Sequence, residues 1–98
     1  MSYSITFRKR AATEYIEAVA WYKERSVQAA ENFVVIIQDT LTQIQNQPDY
    51  FRNSFKNFHE AKTKKYPFSI VYFIDEKKKR IVITSLFHNK RNSKRKFK

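Results

Sequence analysis

Five side chains in the second half of this 98-residue chain carry the chemistry suited to a phosphate ester: Lys62, Lys64, Arg80, His88 and Arg91. Cleaving RNA through its 2′-hydroxyl needs one group to accept that proton, one to stabilise charge on the phosphorane and one to protonate the leaving oxygen. Histidine, lysine and arginine supply all three without a metal. His88 is the candidate acid or base, because an imidazole titrates near neutrality. Lys62 and Lys64 alternate along an extended segment, so they share one face and form a two-charge row for a phosphate backbone. The planar fork of Arg91 suits a phosphate, or equally a carboxylate of an acidic protein. Each residue also has a plainer reading. His88 ends a strand and bonds the backbone, lysines on an edge strand guard against aggregation, Arg80 belongs with Lys77 to a solvated hairpin turn and strand start, and Arg91 is a solvated tail residue. His59 has no partner visible in sequence.

The charge distribution narrows the partner. Residues 1–49 hold five Lys/Arg against six Asp/Glu, and residues 50–98 hold fifteen against three, so the net charge of +11 is −1 plus +12. Folding does not need a field of one sign, which raises self-repulsion in the compact state. A polyanion or an acidic protein is therefore the expected partner.

The elements that position these residues follow from periodicity. Tyr3, Ile5 and Phe7 alternate with Ser4 and Thr6, which predicts a strand over residues 1–7. From 8 to 25 the apolar positions Ala12, Tyr15, Ile16, Val19 and Tyr22 take helical spacing, with Glu14 and Glu17 toward the start and Lys23 and Arg25 at the end, complementing the helix dipole. Ser26 is a suitable cap for a second helix carrying Phe33, Ile37, Leu41 and Ile44. That helix ends near Gln47, because Pro48 disfavours helical geometry in the residue before it. So short a link predicts an antiparallel helix hairpin. After a loop over 49–57, residues 58–66, 68–74 and 80–88 read as three antiparallel strands, with a polar link at 75–79. The prediction is one α+β domain spanning 1–98, its helices packed on one face of the sheet, with a basic tail from about residue 89.

Several classes are excluded. There is no cysteine, which removes disulfides and thiolate metal sites and suits the cytoplasm. Two histidines at unrelated spacing make no metal site, and no cofactor is expected. Glycine is absent as well, so no glycine-rich phosphate loop exists. The first segment is interrupted by Glu14 and Glu17 before a signal-length apolar stretch develops, and the longest apolar runs, 33–37 and 70–74, are far short of the roughly 20 residues of a membrane span. Neither a secretion signal nor a membrane partner is expected.

The order strand, helix hairpin, three strands resembles the RelE/ParE superfamily of bacterial toxins from type II toxin-antitoxin pairs. The resemblance is carried by Glu17-Ala18 with Trp21-Tyr22, by Phe33, by Pro48 with Tyr50, by the stretch Tyr66-Pro67-Phe68-Ser69-Ile70-Val71-Tyr72, and by Phe87-His88-Asn89-Lys90-Arg91-Asn92. It implies a growth-inhibiting toxin held in check by a cognate antitoxin, with either DNA gyrase or ribosome-bound mRNA as target. The ribosome-dependent nucleases resemble one another in carrying an arginine three residues before a tyrosine that looks equivalent to Tyr72. Here that position is Ser69, which lacks the delocalised charge an arginine offers a scissile phosphate. The His-x-x-Arg word from His88 to Arg91 is similar to that of the gyrase-directed branch. The resemblance thus narrowly favours a gyrase inhibitor, the alternative being a metal-independent endoribonuclease using Lys62, Lys64, Arg80, His88 and Arg91. A plain nucleic-acid-binding module is a third reading, since positive charge and sheet aromatics suffice for one.

Overall fold

A computed structural model of the chain describes residues 3–89. Strand β1 (Ser4–Phe7) leads into α1 (Lys9–Arg25) and α2 (Val27–Asn46), followed by β2 (Arg52–Phe55), β3 (Phe58–Lys62), β4 (Phe68–Asp75) and β5 (Arg80–His88). Ser26 alone links the helices. Its hydroxyl accepts from the Ala29 N–H at 3.2 Å, while its own N–H donates to the Tyr22 carbonyl and closes α1. One residue thus caps both helices. Tyr15 of α1 receives a hydrogen bond from Gln38 of α2, whereas Tyr22, two turns later, meets Phe33. Contacts that run backward in this way make the pair antiparallel, as expected.

The sheet differs from the sequence reading in strand number and in the length of β3, and it fixes the direction of β1, which the sequence left open. It has five strands in the order β1-β5-β4-β3-β2, and β1 pairs parallel to β5 from Ser4–Arg80 to Phe7–Ile83. Period-two patterning locates a strand but carries no direction, so this parallel pairing is not legible in residues 3–7. The extra strand, β2, lies inside the segment read as a loop. Its sequence Arg-Asn-Ser-Phe has no apolar alternation, and a polar network holds it instead: Glu60 on β3, with 3% of its side chain exposed, takes Arg52 Nη2 at 3.3 Å and the Ser54 hydroxyl at 3.1 Å. β3 also ends four residues early. The Thr63 hydroxyl donates to the carbonyls of Tyr66 and Phe68 and turns the chain out of the sheet.

A β-bulge in β5 sets which face of the sheet the end of that strand presents to the helices. Tyr72 lies opposite Ile83 and Val71 opposite Ser85, leaving Thr84 as the inserted residue, its hydroxyl on the Val71 carbonyl at 3.2 Å. The insertion flips the pleat. Ile81 and Ile83 before it, and Leu86 after it, consequently enter the same helix-facing core.

That core joins Phe33, Ile37, Leu41 and Ile44 of α2 to Ile70 and Tyr72 of β4. The α2 stripe is the one its spacing predicts. In α1 the buried line is Ala11 and Ala18, flanked by Tyr15, Val19 and Tyr22. Ile16, expected on the apolar face, is 70% exposed. Without glycine, the left-handed turn positions fall to Lys56, Lys65 and Lys79, with φ of 51°, 69° and 52°. Each carries a steric cost of roughly 1–2 kcal/mol.

Tyr72, fully buried, donates to the Pro48 carbonyl at 2.6 Å, fixing the end of α2 against β4. Burial, and secondarily the charge of Asp49, raises its phenol pKa well above the ordinary value. The raised folded-state pKa favours the protonated form, so this contribution is complete below the unfolded-state value of about 10 and is lost as pH rises above it. Tyr72→Phe is expected to cost about 1–1.5 kcal/mol at pH 7 by leaving the Pro48 carbonyl without its donor. It should also flatten the alkaline fall in stability, as measured by urea unfolding at several pH values.

Candidate functional site

His88 closes β5 directly opposite Phe68, and the two rings meet edge to face at 5.3 Å. The bulge brings His88 to the helix side, where it lines a cleft of about 260 Å³ with Glu14, Glu17, Trp21, Tyr22 and Phe68. Glu14 builds one wall. Its Oε1 accepts from the Leu86 N–H at 2.9 Å and the Ser85 hydroxyl at 3.1 Å, and its Oε2 meets Arg10 Nε at 3.3 Å. The carboxylate expected to complement the helix dipole therefore ties α1 to the strand that presents His88. Arg25 stacks on Trp21 with its guanidinium carbon 3.6 Å from the ring centroid, which holds the outer aromatic wall in place.

The other sequence candidates are dispersed. Arg80 opens β5, eight residues from His88, a separation of roughly 26 Å along a strand. Its Nε lies 3.3 Å from Asp75 Oδ2, a charge contact at the opposite end of the sheet, so Arg80 and His88 do not share a site. Lys62 lies opposite Ser69, and Ser69 lies opposite Phe87. That arrangement puts Lys62 and His88 at one end of the sheet, two strands or roughly 10 Å apart at the backbone. Lys64 falls beyond the end of β3, so the two lysines are not a row on one strand face. They converge differently, lining a groove of about 570 Å³ between α2 and the sheet edge, together with Tyr50, Phe51, Asp39 and Gln43. Arg91 and the rest of the expected basic tail from residue 90 onward lie outside the described residues.

Ser69 is the position where an arginine would sit in the nuclease pattern. It is fully buried, and its hydroxyl donates to Asn89 Oδ1 at 2.6 Å, while the Asn89 N–H donates to the Pro67 carbonyl at 2.7 Å. Ser69 thus locks the end of β5 onto β4. His59 stacks on Tyr72 at 5.2 Å, with Nδ1 2.9 Å from the Phe51 carbonyl, a packing role.

Tyr50, Asp39 and Gln43 had no functional signal in the residue patterns. Tyr50 stood out only as part of a family word, and the i, i+4 spacing of Asp39 and Gln43 is common on any solvated helix face. Among the described residues, no three His, Cys, Asp or Glu side chains gather as a metal site, and no helix is long and apolar enough to cross a membrane.

Comparison with known proteins decides the family. The family of the ParE toxin of type II toxin-antitoxin system, parDE, matches residues 5–93. The chain belongs to the ParE toxin family. The match runs from within β1 to beyond β5, so both the His88 cleft and the Lys62/Lys64 groove of this ParE-family toxin lie inside it. Among curated proteins, none is matched by sequence. Solved structures share the ParE-family fold. The chromosomal ParDE toxin-antitoxin system from P. aeruginosa is similar with a TM-score of 0.72 and 18% identity, over 88% of this chain and 95% of that one. The isolated E. coli RelE toxin is similar with a TM-score of 0.63 and 15% identity, over 93% and 88%. The toxin-antitoxin complex RelBE of E. coli gives 0.64 and 15%, over 91% and 99%. At these identities the likeness establishes a shared backbone architecture and leaves side-chain chemistry to be argued from this chain.

Proposed function

We propose that this ParE-family toxin arrests bacterial growth from within the cytoplasm by binding DNA gyrase, making and breaking no bond itself, and that a cognate antitoxin with an acidic segment neutralises it. The observation that carries the reading is that the central-strand arginine is replaced by Ser69 and that Arg80 stands apart from His88. Ser69 occupies the central-strand position with a buried hydroxyl turned to Asn89, and Arg80 is held by Asp75 at the far end of β5 from His88. A nuclease needs its cationic and proton-transfer groups around one phosphate. A binding toxin needs only a shaped and charged surface. The antitoxin contact follows from the charge split, since fifteen of the twenty Lys/Arg lie in residues 50–98, and affinity should fall as salt screens the exposed part of that contact.

Purified protein titrated into a gyrase supercoiling reaction is the test. Loss of supercoiling with accumulation of cleaved plasmid is expected. Unchanged supercoiling in large excess overturns the proposal. Codon-phased cuts in translated messages, detected by primer extension after expression of the chain, would assign it to the mRNA-cleaving alternative.

A further inference from the structure

The groove between α2 and the sheet edge has a composition that neither the family assignment nor the gyrase reading explains. Tyr50 is 73% exposed, and its ring lies nearly perpendicular to that of Phe51 at 5.1 Å. The rings of Tyr15, Tyr22, Phe33, Tyr66 and Phe68, by contrast, pack into or against the core. Lys62 and Lys64 are exposed, and among the described residues no carboxylate forms an ion pair with either. Arg10, Arg52, Lys79 and Arg80 each have such a partner. The backbone that carries the lysines is held in place. Lys62 is fixed by its register with Ser69, and Lys64 follows Thr63, whose N–H and hydroxyl both bond the Phe68 carbonyl. Across the groove stand the side chains of Asp39 and Gln43 on α2.

We propose that this groove binds single-stranded nucleic acid, with a base stacked on Tyr50 and the adjoining phosphates on Lys62 and Lys64. A volume of about 570 Å³ lies in the range of small-ligand sites and accommodates a nucleotide unit. A duplex keeps its base faces stacked on one another, so only an unpaired strand offers a face to Tyr50. Asp39 orients the ligand. Its carboxylate repels phosphate and accepts hydrogen bonds from the amino group of a base, which turns the base edge toward α2 and the phosphates toward the lysines. An acidic peptide satisfies the lysines but meets Asp39 with like charge and makes no use of the exposed ring.

Fluorescence anisotropy with labelled decadeoxycytidylate and a duplex of equal length, across several salt concentrations, tests the proposal on the full chain without gyrase, so this result and the supercoiling result stand or fall separately. Tyr50→Ala is expected to weaken single-strand binding about tenfold while Tyr50→Phe stays within about twofold. The double variant Lys62→Gln, Lys64→Gln should lower the slope of log affinity against log salt by about 1.4, at about 0.7 per single-strand phosphate. Duplex binding should not respond to Tyr50→Ala. On the unsubstituted protein, the amides of Gln43, Tyr50, Lys62 and Lys64 should shift in NMR spectra on adding the decamer. If Tyr50→Ala binds the single strand within twofold of the parent, if the duplex responds equally, or if those amides stay still, the proposal is overturned. Displacement of the decamer by polyglutamate, with polyglutamate itself losing tenfold in affinity to Tyr50→Ala, assigns the groove to an acidic peptide and overturns it as well.

Discussion

Phe33→Ala is expected to lower the unfolding free energy by about 3–5 kcal/mol, the range for truncating a fully buried phenylalanine. Phe33 is fully buried and is the ring on which three elements converge. It lies 5.0 Å from Tyr22 of α1, 5.2 Å from Phe68 at the start of β4, 5.3 Å from Tyr66 and 6.3 Å from Tyr15. Tyr66 in turn donates from its hydroxyl to the Ala29 carbonyl in the first turn of α2. Removing the central ring leaves a cavity bounded by rings that are themselves tethered, so collapse into it is limited. Against a total stability of roughly 5–15 kcal/mol for a domain of this class, the variant sits near the folding threshold. Urea unfolding should show the midpoint falling by about 2 M with little change in slope. A loss below about 1 kcal/mol would mean that the aromatic cluster repacks freely and is not the joint between hairpin and sheet.

Glu14→Ala is expected to cost about 2–3 kcal/mol, and Glu14→Gln about 1 kcal/mol. The difference separates two contributions of one side chain. β1 pairs with β5 only as far as Ile83, and beyond it Glu14 Oε1 satisfies the Leu86 N–H together with the buried Ser85 hydroxyl. Glutamine keeps an acceptor there and loses only the charge facing Arg10. Alanine strands both donors beneath α1. Amide hydrogen exchange gives the local readout, since the Leu86 amide should exchange much faster in Glu14→Ala and only modestly faster in Glu14→Gln. Equal costs for the two variants would place the effect in the Arg10 ion pair instead of the bulge. Because the bulge orients His88, the alanine variant should also shift the His88 ring resonances.

Much of the architecture was legible because it rests on patterns that act locally. The α2 stripe of Phe33, Ile37, Leu41 and Ile44 is a strong period near 3.6, the Ser26 cap is a matter of one hydroxyl and one turn, and Pro48 terminates a helix by its own ring. The elements without a sequence signal rest on contacts between residues distant in the chain or on polar pairing. β2 has no apolar alternation and depends on Arg52 and Ser54 reaching Glu60. The premature end of β3 comes from the Thr63 hydroxyl folding onto the Phe68 carbonyl. Lys62 and Lys64 were read as a row on one strand face, which β3 is too short to make, and the α2 residues across their groove carried no signal.

The sequence by itself determined the composition of the surfaces: which half of the chain is basic, which helix face is apolar, and that no glycine loop or thiolate chemistry is available. Words whose order spans the chain also carried the resemblance to the RelE/ParE superfamily, and the match over residues 5–93 gives the ParE toxin family. Which charged groups lie together was decided only by the tertiary structure. Strict alternation through Ile81 and Ile83 would send His88 to the face away from the helices. One inserted residue, Thr84, reverses the pleat and puts His88 beside Glu14 and Trp21. Strand length then places Arg80 at the far end, and the turn after Lys62 aims Lys64 at α2. These outcomes depend on register, and register is a property of paired strands that no single strand encodes.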